Sequence, residues 1–436
     1  MRIKQSILPV LLAVVLLFTG CAPEPPEQTT QITTAPPTTT EETVPTEPPV
    51  EKIATATVSS TGDLLFHNRV IQSGYNPETG EYNYDSIYAY VADYIARADY
   101  AVANMEGTLC GLDNGFKYSG YPGFNTPDAA IDAAKNAGFD MLLTANNHTY
   151  DTGSKGFHRT QEVIAGRGLD YIGTRPNEEA KNYIVKDING IKVGMVCYTY
   201  ETAKGENGKV SLNGITLNSK DSKLVSSFHY KYLDDFYLRL GEDLAGMKAE
   251  GADITVVYMH WGIEYVTTPN GQQRSIAQQL CNMGVDIIVG GHPHVIQPIE
   301  LLTSEADPAH ATVCLYSMGN AVSNIRKSTT KPAHTEDGMF FSFTLAKYSD
   351  GSVIVEGIDV LPTWVDRREK PDSFPIIPLD TAVEDWTVFG LNETTLPLAQ
   401  KSLERSEAIY REGLDFANAY YAEQQAEHEA AIGVTE

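Results

Sequence analysis

Residues 286–296 read DIIVGGHPHVI: a short apolar run, a glycine pair, and two histidines on either side of a proline. The run at 286–289 shows no alternation of polar with apolar side chains, so it must be covered on both faces, as strands in helix-flanked sheets are. Working outward, the same kind of run recurs at 53–60, 100–103, 141–144, 193–198, 254–259 and 312–316, and helix-like stretches fall between at 86–98, 128–137, 155–167, 234–250 and 272–283. Gly138 and Gly284 stand where two of those helices should stop, a position that favours glycine. Alternation of this kind predicts an α/β fold made of strand–helix–strand units. Residues 339–345 and 352–360 read as antiparallel strands that close the domain.

Polar signals follow the apolar runs. They are Gly62-Asp63, Asn104-Met105-Glu106, Asn146-Asn147-His148, His260-Trp261-Gly262, Gly291-His292-Pro293-His294 and Ser317-Met318-Gly319-Asn320. In α/β sheets a ligand sits beyond the carboxyl ends of the strands, so motifs placed there converge on one site. A single Asp or Asn at a strand end is usually a helix cap, and a single His is usually interior filling. Six suitable groups sharing one expected edge reverse that reading.

Asp63, Glu106, Asn147, His260, His292 and His294 offer hard oxygens and imidazole nitrogens. That mixture suits a pair of divalent ions of Mn, Zn or Fe rather than Ca. His292 and His294, two apart in an extended loop stiffened by Pro293, are expected to face the same way. His148 is placed as a general acid beside the ligands. Asp151 either orients His148 or caps the helix that follows, the cap being the commoner role. His67 reads as a further ligand or as a polar loop residue.

The net charge of -25 argues against nucleic acid and against electrostatic docking on an anionic membrane, both of which need basic patches. Cys110, Cys197, Cys281 and Cys314 lie in or beside apolar runs and read as buried thiols. Residues 1–20 carry Arg2 and Lys4, an apolar core and a small-residue end, which is a signal peptide. Leu17-Phe18-Thr19-Gly20 before Cys21 resembles the lipobox of bacterial lipoproteins, which implies a lipid on Cys21 and a place on the outer face of the cell membrane; plain secretion and an uncleaved signal anchor are the alternatives. Residues 21–50 are rich in Pro, Thr and Glu and read as an extended tether. Residues 203–232 lack a period and read as an insertion near the site. In the tail, Leu403, Tyr410, Leu414, Ala417 and Tyr421 share one helical face, expected to pack on the chain's own domain.

Taken in order, Gly62-Asp63, Asn104-Met105-Glu106-Gly107, Asn146-Asn147-His148, His260-Trp261-Gly262, Gly291-His292-Pro293-His294-Val295 and Tyr316-Ser317-Met318-Gly319-Asn320 resemble the bacterial CapA family, over residues 53–364. The resemblance implies a calcineurin-like metallophosphoesterase fold, a four-layer α/β/β/α sandwich. It would occupy residues 51–365, with a helical extension at 366–436. It also implies a division of ligands: Glu106 bridging, Asp63 and His294 on one metal, and Asn147, His260 and His292 on the other. One departure is visible, since no Asp-x-His follows the first strand, which continues Leu64-Leu65-Phe66-His67. The expected role is capsule or poly-gamma-glutamate biosynthesis or processing by a metal-dependent hydrolase acting on an anionic polymer or a phosphoester. A non-catalytic, polyanion-binding subunit of a membrane polymer synthase is the alternative.

Overall fold

The computed structural model describes residues 50–202, 209–326, 334–369 and 372–432. The expected signal peptide, Cys21 and the tether up to residue 49 lie outside them, as do residues 203–208 of the expected insertion. No helix among the described residues is long and apolar enough to cross a membrane.

The first sheet is built on four parallel strands, β1 (Lys52–Leu64), β2 (Tyr100–Met105), β3 (Met141–Leu143) and β4 (Asp170–Ile172). The chain then forms a second sheet from β5 (Tyr183–Ile188), β6 (Ile191–Tyr200), β7 (Ile254–His260), β8 (Ile287–Gly291), β9 (Ile299–Thr303) and β10 (Ala311–Leu315). It returns to the first sheet with β11 (Asn320–Val322), β12 (Asp337–Tyr348), β13 (Val353–Val365) and β14 (Ile376–Pro378). The strand order is β14-β13-β12-β1-β2-β3-β4 in the first sheet, with β11 beside β1, and β9-β10-β8-β7-β6-β5 in the second. Strands β6, β7, β8 and β10 are mutually parallel, and antiparallel β5 and β9 close the two edges.

The layers follow from the side-chain alternation of strands. Val102, Val256 and Ile287 point into one core between the sheets. Their neighbours Ala101 and Ala103 face outward under α1 (Ala129–Ala137) and α2 (Gly153–Gly166). Val257 and Ile288 face the other way, under α3 (Leu233–Ala249) and α4 (Gly271–Asn282). Each strand therefore needs apolar residues on both faces, which is why the runs lack alternation. The result is the four-layer α/β/β/α sandwich of the metallophosphoesterase type. The four cysteines Cys110, Cys197, Cys281 and Cys314 are free and buried.

The tail forms α5 (Leu396–Ile432). Tyr410, Leu414, Ala417 and Tyr421 enter the core between the sheets, while Leu403 packs instead beside Trp364, Ile377 and Trp386. Asn418 locks the helix to β13, its amide donating to the Ile358 carbonyl and its oxygen accepting from the Ile358 N–H, both at 2.9 Å.

The helix expected at 86–98 is a correction. That stretch is a 3-10 turn at Asp85–Ile87 and a single helical turn at Ala92–Ile95. Tyr88, Tyr90 and the β-branched Ile87, Val91 and Ile95 crowd the segment and lower its helix propensity, while Ile87, Tyr88, Val91 and Ile95 still reach the outer core.

Candidate metal centre

The sequence-predicted residues converge on one end of the seam between the two sheets. Asp63 lies at the end of β1, Glu106 directly after β2, Asn147 beyond β3, His260 at the last position of β7, and His292 and His294 just past β8. Both sheets contribute, because their parallel strands point their carboxyl ends at the same edge. Strand β1 shifts register beside Asp63 in its pairing with both β11 and β2, an irregularity that re-aims a side chain at the rim of a sheet. Gly62 permits this approach, since a Cβ there would stand 2.0 Å from the carbonyl oxygen of Gly319.

All six side chains are buried. Asn104 donates to Asp63 Oδ1 at 2.7 Å, and His294 Nδ1 lies 3.0 Å from both Asp63 Oδ2 and Asn320 Oδ1. Two oxygen acceptors at Nδ1 fix the proton there, which leaves the Nε2 lone pair of His294 facing Glu106 at 3.8 Å. His260 Nε2 stands 2.8 Å from Asn147 Oδ1 and 3.8 Å from Glu106 Oε1. Tyr200 backs this cluster, its ring centroid 4.7 Å from that of His292.

Glu106 is the centre of the arrangement. It is fully buried, and among the described residues neither of its carboxylate oxygens has a hydrogen-bond partner; the same is true of His292 Nδ1. Burial first, and then the Asp63 carboxylate, push the Glu106 carboxyl well above the ordinary range. Burial, with neighbouring imidazoles, holds His260 and His292 well below theirs, so both rings stay neutral and able to ligate. Separations of 3.8 Å are too long for a hydrogen bond. They suit donors gathered about an ion roughly 2.1 Å from each. Among the described residues, two sets of ligand atoms are close enough to hold an ion: Glu106, His292 and His294, and Asp63, Glu106 and His260. Glu106 belongs to both. The other members divide differently from the partition the family resemblance implies, His292 pairing with His294 and His260 with Asp63.

The His-Pro-His loop is not extended. His292 and His294 have φ of 95° and 57°, in the left-handed region. Non-glycine residues persist there when the surroundings hold them, and such strain gathers at functional sites.

Of the two roles open to Asp151, the structure places it beside His148 and not at the helix cap. The helix begins at Gly153 after Thr152, and Asp151 does not cap it. Its Oδ2 instead lies 2.7 Å from His148 Nδ1 and accepts from the Phe124 N–H at 2.8 Å. His148 Nε2 is thereby turned toward Glu106 Oε1, 4.0 Å away. His67 is in neither ligand set. It lies edge-on to Phe124, which also stands edge-on to His148, and its Nδ1 accepts from the Asn324 N–H. Burial and the neighbouring His294 lower its pKa to about 4.

Three asparagines escaped the sequence reading as site residues. Asn104 and Asn320 hold Asp63 and His294, and Asn146 donates to Asn104 Oδ1 at 3.2 Å and to the Met105 carbonyl at 2.8 Å. All three stand inside the strand-end motifs, so the signal was present. Asn213, from the expected insertion, reaches His148 as well.

A family model described as bacterial capsule synthesis protein PGA_cap matches residues 57–325. The chain is 28% identical over 275 residues to the capsule biosynthesis protein CapA of Bacillus anthracis, covering 61% of this chain and 59% of that one. It is 29% identical over 278 residues to the PGA biosynthesis protein CapA of Bacillus subtilis (strain 168), covering 63% and 65%. The chain thus spans less than two thirds of the length of these curated relatives. Among solved structures, a putative 5'-nucleotidase from Staphylococcus aureus in complex with alpha-ketoglutarate aligns at a TM-score of 0.39 and 12% identity, over 80% of this chain and 58% of that one.

Proposed function

The chain belongs to the bacterial capsule synthesis protein family, and from that premise we propose that it serves capsule polymer biosynthesis through a two-metal hydrolytic site. One observation carries this reading: a fully buried carboxylate with no hydrogen-bond partner among the described residues, ringed by imidazoles at 3.8–4.0 Å, with a carboxylate-held histidine alongside. Asp63, Glu106, Asn147, His260, His292 and His294 would hold divalent Mn, Zn or Fe ions, with Glu106 shared. Such ions would supply Lewis acidity and lower the pKa of water at the site.

The chain's own residues do the rest. Asp63 and Asn320 keep the proton of His294 on Nδ1, and its Nε2 stays free to ligate. Asp151 holds the Nδ1 proton of His148 in the same way, so Nε2 is the atom that hands a proton to a departing group. Tyr200 and the buried strand ends keep bulk water from the imidazoles, which strengthens every charge interaction there.

The substrate is an anionic polymer of the envelope or a phosphoester, reached outside the cytoplasmic membrane with Cys21 as the lipid anchor. In a chain of net charge -25, bound cations would be the positive centre that attracts it. The accessory reading, in which the site holds polyanion for a synthase without cleaving it, draws on the biosynthetic names of the curated relatives. Turnover of a generic phosphodiester and of poly-gamma-glutamate with Mn or Zn, beside His148→Ala, separates the two. Metal retention with no turnover of either substrate favours the accessory; turnover unaffected by His148→Ala sinks the assigned site.

A further inference from the structure

Between β6 and α3 the chain makes a hairpin at residues 211–216 and returns at residues 227–228 as a short parallel partner of β6. That return carries the ladder one residue past the strand, the Glu201 N–H donating to the Phe228 carbonyl at 2.7 Å. Successive side chains of an extended segment point to opposite sides. Tyr200 turns its ring to His292 at the metal centre, so Glu201 faces away from it, into a cleft of about 390 Å³ that it lines with Val210, His229, Leu238 and Arg239.

Glu201 is only 6% exposed, and its two oxygens are not treated alike. Oε1 accepts from Ser227 Oγ at 3.1 Å, whereas Oε2 has no hydrogen-bond partner among the described residues. A carboxylate taken out of water is costly unless it is paired and hydrogen-bonded, and half of this one is left open. The nearby cation is occupied elsewhere. Arg239, exposed on α3, gives Nη2 to the Ser227 carbonyl at 2.7 Å and Nε to the Asp235 carbonyl at 3.2 Å. Ser227 thus stands between an acid and a base, its hydroxyl on the first and its carbonyl on the second. Neither bond uses Nη1 of the arginine.

A ligand with an ammonium and a carboxylate on one carbon answers both groups. Its N–H donors suit Oε2, and its planar carboxylate suits the guanidinium. A plain amine would leave Arg239 unanswered, and a plain carboxylate would be repelled by Glu201. Val210 and Leu238 give the rest of the ligand an apolar wall.

We propose that this cleft is a second site, behind the metal centre, for an α-carbon that bears both a free ammonium and a free carboxylate. Two sources present that group: a free amino acid, and the amino-terminal residue of a γ-linked glutamyl chain, whose α-carboxylate stays outside the linkage. An α-linked peptide does not, because its linkage consumes the α-carboxylate of the first residue. The inference stands apart from the hydrolase reading, since neither Glu201 nor Arg239 belongs to a metal-ligand set. Calorimetry on the metal-loaded protein measures glutamate, γ-glutamylglutamate, α-glutamylglutamate and N-acetylglutamate, for the native chain, Glu201→Gln and Arg239→Gln. The native chain should bind glutamate or the γ-linked dipeptide at least about tenfold more tightly than the other two. Each substitution should weaken that binding about tenfold and leave unchanged both the metal content and the weak binding of N-acetylglutamate, whose carboxylates report on the metals. A γ-linked dipeptide tighter than glutamate identifies the chain end as the source; an equal or reversed order identifies the free amino acid. Binding of N-acetylglutamate or the α-linked dipeptide as tight as that of glutamate and the γ-linked dipeptide overturns the proposal. So does unchanged affinity for both zwitterions in either variant, and Arg239→Gln, altered at an exposed position, decides alone if Glu201→Gln fails to fold.

Discussion

Replacing Glu106 by glutamine should make the metal-free protein more stable and the metal-loaded protein less stable. The folded carboxyl has a pKa raised well above the ordinary range by burial and by Asp63. Without metal, the folded state therefore binds more protons than the unfolded state once pH exceeds the ordinary value of about 4.3, and stability falls as pH rises through the interval up to the raised value. Glutamine keeps the volume and removes the charge, which should recover on the order of 1–4 kcal/mol at pH 8 in the presence of a chelator. With metal the order inverts. An ion at a thousand times its Kd adds about 4 kcal/mol to the native chain, and the variant, lacking the anion shared by both ligand sets, should gain less than about 1 kcal/mol. Urea unfolding at pH 8, with chelator and with Mn or Zn, reads both signs. Equal metal stabilisation of the two proteins, or a native chain more stable than the variant under chelator, refutes the reasoning.

His148→Ala should leave metal content unchanged and lower turnover by about 10²–10⁴-fold. Asp151→Asn, which removes the carboxylate held by His148 Nδ1 and the Phe124 N–H, should lower turnover by a smaller factor with metal again retained, so elemental analysis beside kinetics checks both. Metal binding should release protons wherever the raised pKa of Glu106 leaves its carboxyl protonated in the metal-free protein; calorimetry in two buffers of different ionisation heat measures it. Gly413→Ala would stabilise an isolated helix by about 1 kcal/mol. Here a Cβ would stand 1.9 Å from the Ile299 carbonyl oxygen, so a net loss of about 1 to 3 kcal/mol is expected in urea unfolding.

The interior strands were legible because each must bury both faces, and β6, β7 and β8 fall on the apolar runs of the sequence. Strand β5 was missed because it is an edge strand, mostly half-buried, and its polar residues Lys186 and Asp187 blur the run. The ligand residues were visible as polar motifs at strand ends. Their mutual distances were not, since Asp63 and His294 are 231 positions apart and meet only when the two sheets stack. The two roles open to Asp151 could not be separated for the same reason: its partner Phe124 lies 27 residues away, whereas a cap is a local pattern that any Asp before a helix suggests. In the stretch expected to be an insertion, Asn213-Gly214 is a hairpin signature that periodicity does not detect.

A two-metal site at this end of the seam is the central claim. Elemental analysis of the native chain after exposure to Mn or Zn and removal of free ion should find about two ions per chain, with Glu106→Gln losing most of both. A native chain that retains no ion above background, or a Glu106→Gln chain that retains as much as the native one, contradicts it.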